Sequence, residues 1–298
     1  MQLKWLEDFV ALAQERSFTR AAELRHVTHP AFGRRIRALE SWAGTPLIER
    51  EAGPVKLTAA GQAFLDTALQ MTRHLAQSHD ELMAIAGRQG RTVTLCTGRT
   101  LARTIVADWL VRLRPYLADG ELRISTRSLA DAVHDLQHGL ADFSILYHHP
   151  SLVVPLDGRQ FEHVALATDR LLPVSRTDAS GAPMYFLEAG CAPVPYIAYD
   201  RTLALGRLVE DLLAHHPLAV HLKRLVECDS PDANYEYVRK GLGVSWLPWS
   251  VVHADVKSGL LAPAGGKGLE VKFDVRMFRP KRRLSGLAES LWSTIARR

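Results

Sequence analysis

The chain has 298 residues, of which 47% are hydrophobic and 23% charged, and 37 Lys/Arg against 32 Asp/Glu give a net charge of +5. This is the composition of an ordinary soluble globular protein with room for two or three domains, each with its own core. No run of about 18 apolar residues occurs, which excludes a spanning helix and a membrane partner of that kind.

The N-terminus, MQLKWLEDFV, carries acids and a tryptophan where a signal peptide needs a basic region followed by an apolar one, so a cytoplasmic protein is expected. Cys96, Cys191 and Cys228 lie far apart and form no CxxC pair, which argues against a disulfide framework or a structural zinc site. The charge is unevenly spread. Residues 1–61 hold nine Lys/Arg against seven Asp/Glu, whereas Arg276 to Arg298 holds seven basic residues against Glu289 alone. Overall basicity is therefore no evidence for a nucleic-acid-binding N-terminus; that evidence has to come from pattern.

Leu6, Phe9, Val10 and Ala13 recur at helical spacing. Ser17 and Thr19 are candidate N-caps for a second helix, FTRAAELRHV, and Thr28 for a third that carries Pro30 in its first turn, where proline is tolerated. Phe32, Ile36, Leu39 and Ala43 make the buried stripe of that third helix. Pro30, Gly33, Arg34 and Arg37 fall opposite, with His29 at the leading end. Close approach of another backbone or surface is one physical reason for a glycine on an exposed helical face. The pattern fits a helix-turn-helix, and it fits equally a three-helix bundle with solvated arginines.

Residues 46–62, PLIEREAGPVKLTAAGQ, read as a small hairpin or wing with Arg50 and Lys56 on its arms. A long helix begins near Thr58. Phe64, Ala68, Met71, Leu75, Ser78, Leu82 and Ile85 alternate at spacings of four and three, an a/d seam that an identical chain would cover most simply. From Arg91 the pattern becomes strand–helix alternation: TVTLC, LARTIVADWLVRL, LRIS, LADAVHDLQHG and ADFSILY, then PYIAYD, LGRLVEDLLA, LVECD, SPDANYEYVRKG and LGVSWLP. Such βαβ alternation predicts two α/β units with parallel strands and ligands beyond the strands' carboxyl ends. The C-terminal stretch reads as an amphipathic helix with a charged entry.

FVALAQERSFTRAAE, PAFGRRIRALE, GTPLIER and LTAAGQ, in this order and spacing, make the sequence similar to the LysR-type transcriptional regulators. Trp5, Arg25, Phe32, RRIRALE, LGRL and GLGVSWLP resemble the branch of hypochlorite-responsive regulators. The resemblance implies a multidomain chain: an all-α winged helix-turn-helix over residues 1–58, a dimerising linker helix and hinge over 59–90, and over 91–298 an α/β effector domain with two lobes of the periplasmic-binding-protein type. It also implies promoter DNA, a small-molecule effector, a second copy of the chain in dimers and homotetramers, and RNA polymerase as partners, with no cofactor. Two departures stand out. Thr28-His29 replace the usual Ser-Gln, which removes an amide able to pair with adenine. Gly33 replaces the usual serine.

The DNA-contact candidates are Thr19, Arg20, Thr28, His29, Pro30, Gly33, Arg34, Arg35, Arg37, Arg50 and Lys56. Arg34 is the first candidate for base readout, since arginine pairs bidentately with guanine. Arg35 and Arg37 suit phosphates or salt bridges, and Arg50 resembles the family's wing arginine. Strand ends nominate Arg99, Thr100, Arg127, Ser128, Arg201, Thr202 and Ser230 for an anionic effector, as capping hydroxyls beside helix amides. Cys96 and Cys228 are redox candidates, though a buried strand cysteine is more often a small hydrophobe. The His148-His149 and His215-His216 pairs lack a convergent third metal ligand. No nucleophile–base constellation points to an enzyme. The reading left open beside a regulator is a small-molecule-binding α/β protein whose N-terminal helices serve only assembly.

Overall fold

The computed structural model describes residues 1–49, 54–85, 92–117 and 120–296. Contacts divide the chain into two units, Met1–Gly90 with His138–Leu140, and Arg91–Gln137 with Ala141–Arg298.

The first unit contains α1 (Leu3–Glu15), α2 (Phe18–Leu24), α3 (His29–Ala43) and α4 (Ala59–Ile85). The Ser17 hydroxyl caps α2 by accepting from the Arg20 amide at 3.4 Å. Thr28 occupies the N-cap position of α3, but its hydroxyl makes no capping bond, so the cap assigned to it is one of position only. Between α2 and α3 the chain turns at His26, which adopts the left-handed conformation at φ 53°. The expected stripe Phe32, Ile36 and Leu39 is fully buried and meets Phe9, Leu12, Ala21 and Ala22 from the first two helices. Burying four or five such side chains supplies the apolar area that holds short helices together, at about 2 kcal/mol each.

Between α3 and α4 two short arms pair antiparallel, with Ile48 opposite Leu57 and the Glu49 amide donating to the Lys56 carbonyl at 3.0 Å. Thr58 starts α4: its hydroxyl donates to the Pro46 carbonyl and accepts from the Gly61 amide. Gly61 is required there, because a Cβ would lie 2.0 Å from the Leu47 carbonyl oxygen.

The a/d seam of α4 divides in two. Ala68 is fully buried and Phe64 packs 5.7 Å from Phe9 and 6.0 Å from Trp42, so these two belong to the core of their own unit and not to a chain–chain seam. Met71, Leu75 and Leu82 remain 40%, 50% and 64% exposed. Among the described residues of α4, those packed into the core of this unit are Ala60, Phe64, Leu65 and Ala68, all in its first three turns. The Ile85 side chain lies outside the described residues.

The second unit contains β1 (Thr92–Thr97), α5 (Arg99–Arg103), α6 (Ile105–Leu113), β2 (Glu121–Thr126), α7 (Leu129–Gln137), β3 (Phe143–His148), β4 (Phe161–Arg176), β5 (Val194–Tyr199), α8 (Ala204–Ala214), β6 (Leu222–Cys228), α9 (Pro231–Arg239), β7 (Ser245–Pro248), α10 (Trp249–Lys257), β8 (Leu261–Pro263), β9 (Val271–Pro280) and α11 (Gly286–Ala296). The expected single helix LARTIVADWLVRL is broken at Thr104, whose φ −108° and ψ −96° are not helical, giving α5 and α6.

In the first lobe β2, β1 and β3 run parallel, with Thr92 opposite Glu121 and Leu95 opposite Phe143. The antiparallel strand β9 follows, Ser144 opposite Phe278, and then β4, Phe161 opposite Pro280. In the second lobe β5 and β6 are parallel, and the bridge Tyr196–Val244 joins β5 to the segment entering β7. The far half of β4 pairs with β7 and β8. The sheets are therefore mixed where strand–helix alternation alone predicted parallel strands. The cause is the pair β4 and β9, which the alternation did not identify. β4 is 16 residues long, and it pairs with first-lobe β9 from Phe161 to Leu171 and with second-lobe β7 and β8 from Leu171 to Arg176. Trp246, fully buried with its indole N–H on the Leu269 carbonyl at 2.8 Å, anchors the second lobe.

Candidate functional site

The first site grows from the exposed side of α3. A groove of about 380 Å³ separates this helix from the arms of the hairpin, and His29, Pro30, Gly33 and Arg37 line it together with Phe18, Ile48 and Val55. The His29 ring packs 5.8 Å from Phe18, which fixes it at the groove's entry. Arg34 and Arg37 are exposed, and neither has a carboxylate partner among the described residues. Lys56 is exposed on its arm, and Thr19 and Thr28 are exposed at the leading ends of α2 and α3. Arg50 lies outside the described residues.

Two of the arginines are placed otherwise. Arg35 turns inward, its guanidinium 3.3 Å from Asp8, a carboxylate with no exposed surface. Asp8 also accepts from Arg25 at 2.9 Å, and Arg25 reaches Glu7 as well. Of the two roles expected for Arg35, phosphate contact or a salt bridge within its helix, the structure shows a salt bridge, but one that ties α3 to α1. Arg20 lies 3.4 Å from Glu15, a surface ion pair between α2 and α1, and its side chain stays 65% exposed. Asp8, the centre of this network, was missed in the sequence because one buried acid among helical apolar residues carries no local signal.

The second site is a cleft of about 450 Å³ in the second unit, between the two lobes. From the first lobe it is lined by Arg99, Thr100, Arg127 and Ser128, and from the second by Thr202 and Asp229. Arg201 and Ser230 do not line it, a correction to their nomination. Arg201 pairs with Glu210 at 2.8 Å, and Ser230 caps α9 through the Ala233 amide. Other nominated groups are partly engaged. Ser128 donates to Asp131 at 2.7 Å and accepts from its amide at 3.1 Å, so its hydroxyl caps the start of α7. Thr202 donates to Asp200, and Arg127 lies 3.2 Å from Asp135. The Arg99 guanidinium donates across the cleft to the Asp229 carbonyl at 3.1 Å, and Arg103 pairs with Asp232 at 3.1 Å.

Tyr147, which no sequence signal singled out, also lines the cleft. It is 7% exposed, and burial raises its pKa above the usual phenol value, with the Thr100 side chain acting in the opposite direction. Thr100, buried at the same wall, adds a second hydroxyl.

Cys96 does not suit redox chemistry. It is 1% exposed, its thiol donates to Asp135 at 3.5 Å, and burial, reinforced by the Asp135 charge, pushes its pKa up to about 12. The thiolate is the reactive species, so a thiol held this way is inert near neutral pH. Cys228, half-buried at the end of β6, does not line the cleft.

Residues 3–62 match the family model described as bacterial regulatory helix-turn-helix protein, lysR family, and residues 86–298 match the LysR substrate binding domain. The chain is 25% identical over 292 residues to the HTH-type transcriptional regulator YjiE of Escherichia coli, covering 98% of this chain and 93% of that one. Among solved structures, Vibrio fischeri DarR in complex with DNA is similar at 27% identity and a TM-score of 0.59, with 99% of this chain and 98% of that one covered. Full-length HypT from Salmonella typhimurium, a hypochlorite-specific LysR-type regulator, is similar at 26% identity and a TM-score of 0.60, covering 98% and 96%.

Proposed function

The chain belongs to the LysR family of bacterial regulatory proteins, and from that premise we infer which of its residues read DNA and which receive the signal. It is a DNA-binding transcriptional regulator with an effector-binding domain, acting on promoter DNA as an oligomer. The observation that carries our reading of the interface is the exposed basic edge of α3 beside the groove, Arg34 and Arg37, which has no carboxylate partner among the described residues. Arg34 reads a base in the major groove, Arg37 stands at the groove's rim, and Thr19, Thr28, Lys56 and the wing's Arg50 hold phosphates. Arg34→Ala is expected to weaken binding to the operator by about 10- to 100-fold, the value of one bidentate arginine–guanine pair, with the oligomeric state unchanged. Footprinting and sedimentation measure the two, and an unaltered footprint removes Arg34 from the interface. In wild type the affinity should fall steeply with salt, with a slope of about −0.9 per phosphate contacted.

The exposed stretch of α4 pairs with the same stretch of a second copy. Three large apolar side chains left open on one helix face favour burial. Leu75→Glu is expected to weaken the dimer at least about tenfold, because it places like charges where apolar surface is covered. Sedimentation equilibrium checks this, and a dimer of unchanged strength moves the contact elsewhere.

The effector binds in the cleft of the second unit. We assign it an anionic group on the Arg99 side, within reach of the hydroxyls of Thr100 and Tyr147. Calorimetric titration with mono- and dicarboxylates tests this, and heats from neutral compounds alone overturn it. The likeness to HypT supports an oxidant as the second reading of the signal. Of the two cysteines considered for it, the half-buried Cys228 is then the candidate, and an oxidant response that survives Cys228→Ser rules out this thiol.

A further inference from the structure

We propose that Gly33 and Pro30 form a notch on α3 that takes the C5-methyl group of a thymine, which makes Gly33 a specificity-determining residue of the operator. The proposal rests on the reading of α3 as the DNA-facing helix and adds the base it selects.

Glycine inside a helix is destabilising relative to alanine, so its presence needs a reason. The fold supplies none. A Cβ built on Gly33 would meet nothing within 4 Å, and the backbone there is ordinary helix, with no positive φ. Gly61 is the contrast: there the Leu47 carbonyl leaves no room for a side chain. Gly33 is therefore free to carry a side chain in the isolated protein, and what excludes one lies outside it.

The surroundings say what approaches. The groove beside Gly33 is largely apolar, with Phe18, Pro30, Ile36, Ile48 and Val55 on its walls. Two carboxylates, Glu40 and Glu49, also line it. Glu40 is 9% exposed and accepts from the Leu47 and Ile48 amides. Arg37 and His29 stand in the same lining, so charge alone does not choose the occupant and the apolar walls decide it. The exposed guanidiniums of Arg34 and Arg37 on the same helix suit the electronegative edge of the major groove. Among the base pairs only those with thymine present an apolar group in that groove. A methyl group entering beside Pro30 fits the apolar wall and occupies the space a Gly33 side chain would fill.

The test uses the full-length protein. Operators are first selected from a random duplex library, and then each thymine of the selected sequence is replaced by deoxyuridine, which removes the methyl and keeps every hydrogen-bonding group. Wild type is expected to lose about fourfold in affinity at one thymine per half-site, the effect of desolvating one methyl group. Gly33→Ala and Gly33→Ser should bind the thymine operator more weakly and treat thymine and uracil alike at that position. Gly33→Ala should also melt higher than wild type, which shows that the loss is not one of folding. A selected operator with no methyl-sensitive thymine, or a Gly33→Ala variant that still prefers thymine by the full factor, overturns the notch and leaves DNA binding intact. Failure of wild type to enrich any motif overturns the reading of α3 itself, and the notch with it.

Discussion

Asp8→Ala is expected to destabilise the N-terminal unit by about 3 kcal/mol, a fall in melting temperature on the order of 15 °C for a unit of this size. Asp8 has no exposed surface, and its two oxygens face two guanidiniums, Arg25 at 2.9 Å and Arg35 at 3.3 Å. Removing it leaves both arginines half-buried on an apolar core, one with Glu7 alone and one with no partner from this network. Asp8 joins α1, which carries it, to the turn after α2 and to α3, so its loss also loosens the helix that carries Arg34. A weakened operator affinity should accompany the lower melting temperature. The second substitution Arg35→Met in the Asp8→Ala background should recover part of the loss, since a buried unpaired charge costs more than an apolar side chain of similar size. Thermal melts of both variants followed by circular dichroism decide the matter, and a fall of less than about 3 °C for Asp8→Ala would show that the network contributes little.

Arg279→Ala should have the largest effect on the second unit, about 4 kcal/mol and on the order of 10 °C. The guanidinium is 3% exposed and forms a fork with both oxygens of Glu289, at 2.8 and 2.7 Å. It donates further to the carbonyls of Pro280 and Arg282, and it lies 5.4 Å from the ring of Trp292. The contacts hold α11 to the end of β9, and truncation releases them together while leaving Glu289 without its cation. The ion pair also predicts a pH dependence. Hydrogen bonds from Arg279 hold the Glu289 carboxyl below its ordinary 4.5. A depressed acid stabilises the fold above its unfolded pKa, and that contribution is lost as pH falls through the lower folded value. The melting-temperature gap between wild type and Glu289→Gln should therefore be full above the ordinary 4.5 and shrink as the pH falls below it. A gap that stays constant across that range would place the stabilisation in packing and not in the charge.

The helices of the first unit were legible because their signals are short-range. Phe32, Ile36 and Leu39 repeat at helical spacing, Ser17 caps α2, and a proline marks the first turn of α3. β9 carries a signal of the same kind, since Val271, Phe273, Val275 and Met277 are buried between more exposed neighbours, but the basic residues that follow it mask the alternation. β4 carries a weaker one. Its first half alternates loosely, and its second half is a continuous buried run, Leu171 to Ser175, because the strand passes from one lobe's sheet to the other's. No single period describes a strand that serves two environments.

By itself the sequence determined most of the local elements, though not β4, β9 or the break at Thr104, together with the order of helix-turn-helix, wing, long helix and α/β alternation and the family to which they belong. The tertiary structure alone decided which polar and apolar groups remain free to act. Arg34 and Arg35 are neighbours in the chain, but one helical step of rotation turns Arg35 toward a buried acid 27 residues away and leaves Arg34 exposed. Phe64 and Leu75 belong to one seam, but the first packs into the core of its unit and the second stays exposed. Thr100 and Tyr147 share a cleft wall because β1 and β3 are adjacent in the sheet. Caps and periodicities act over three or four residues and can be read along the chain. The partner that neutralises a charge or covers a face comes from anywhere in it, and only packing brings the two together.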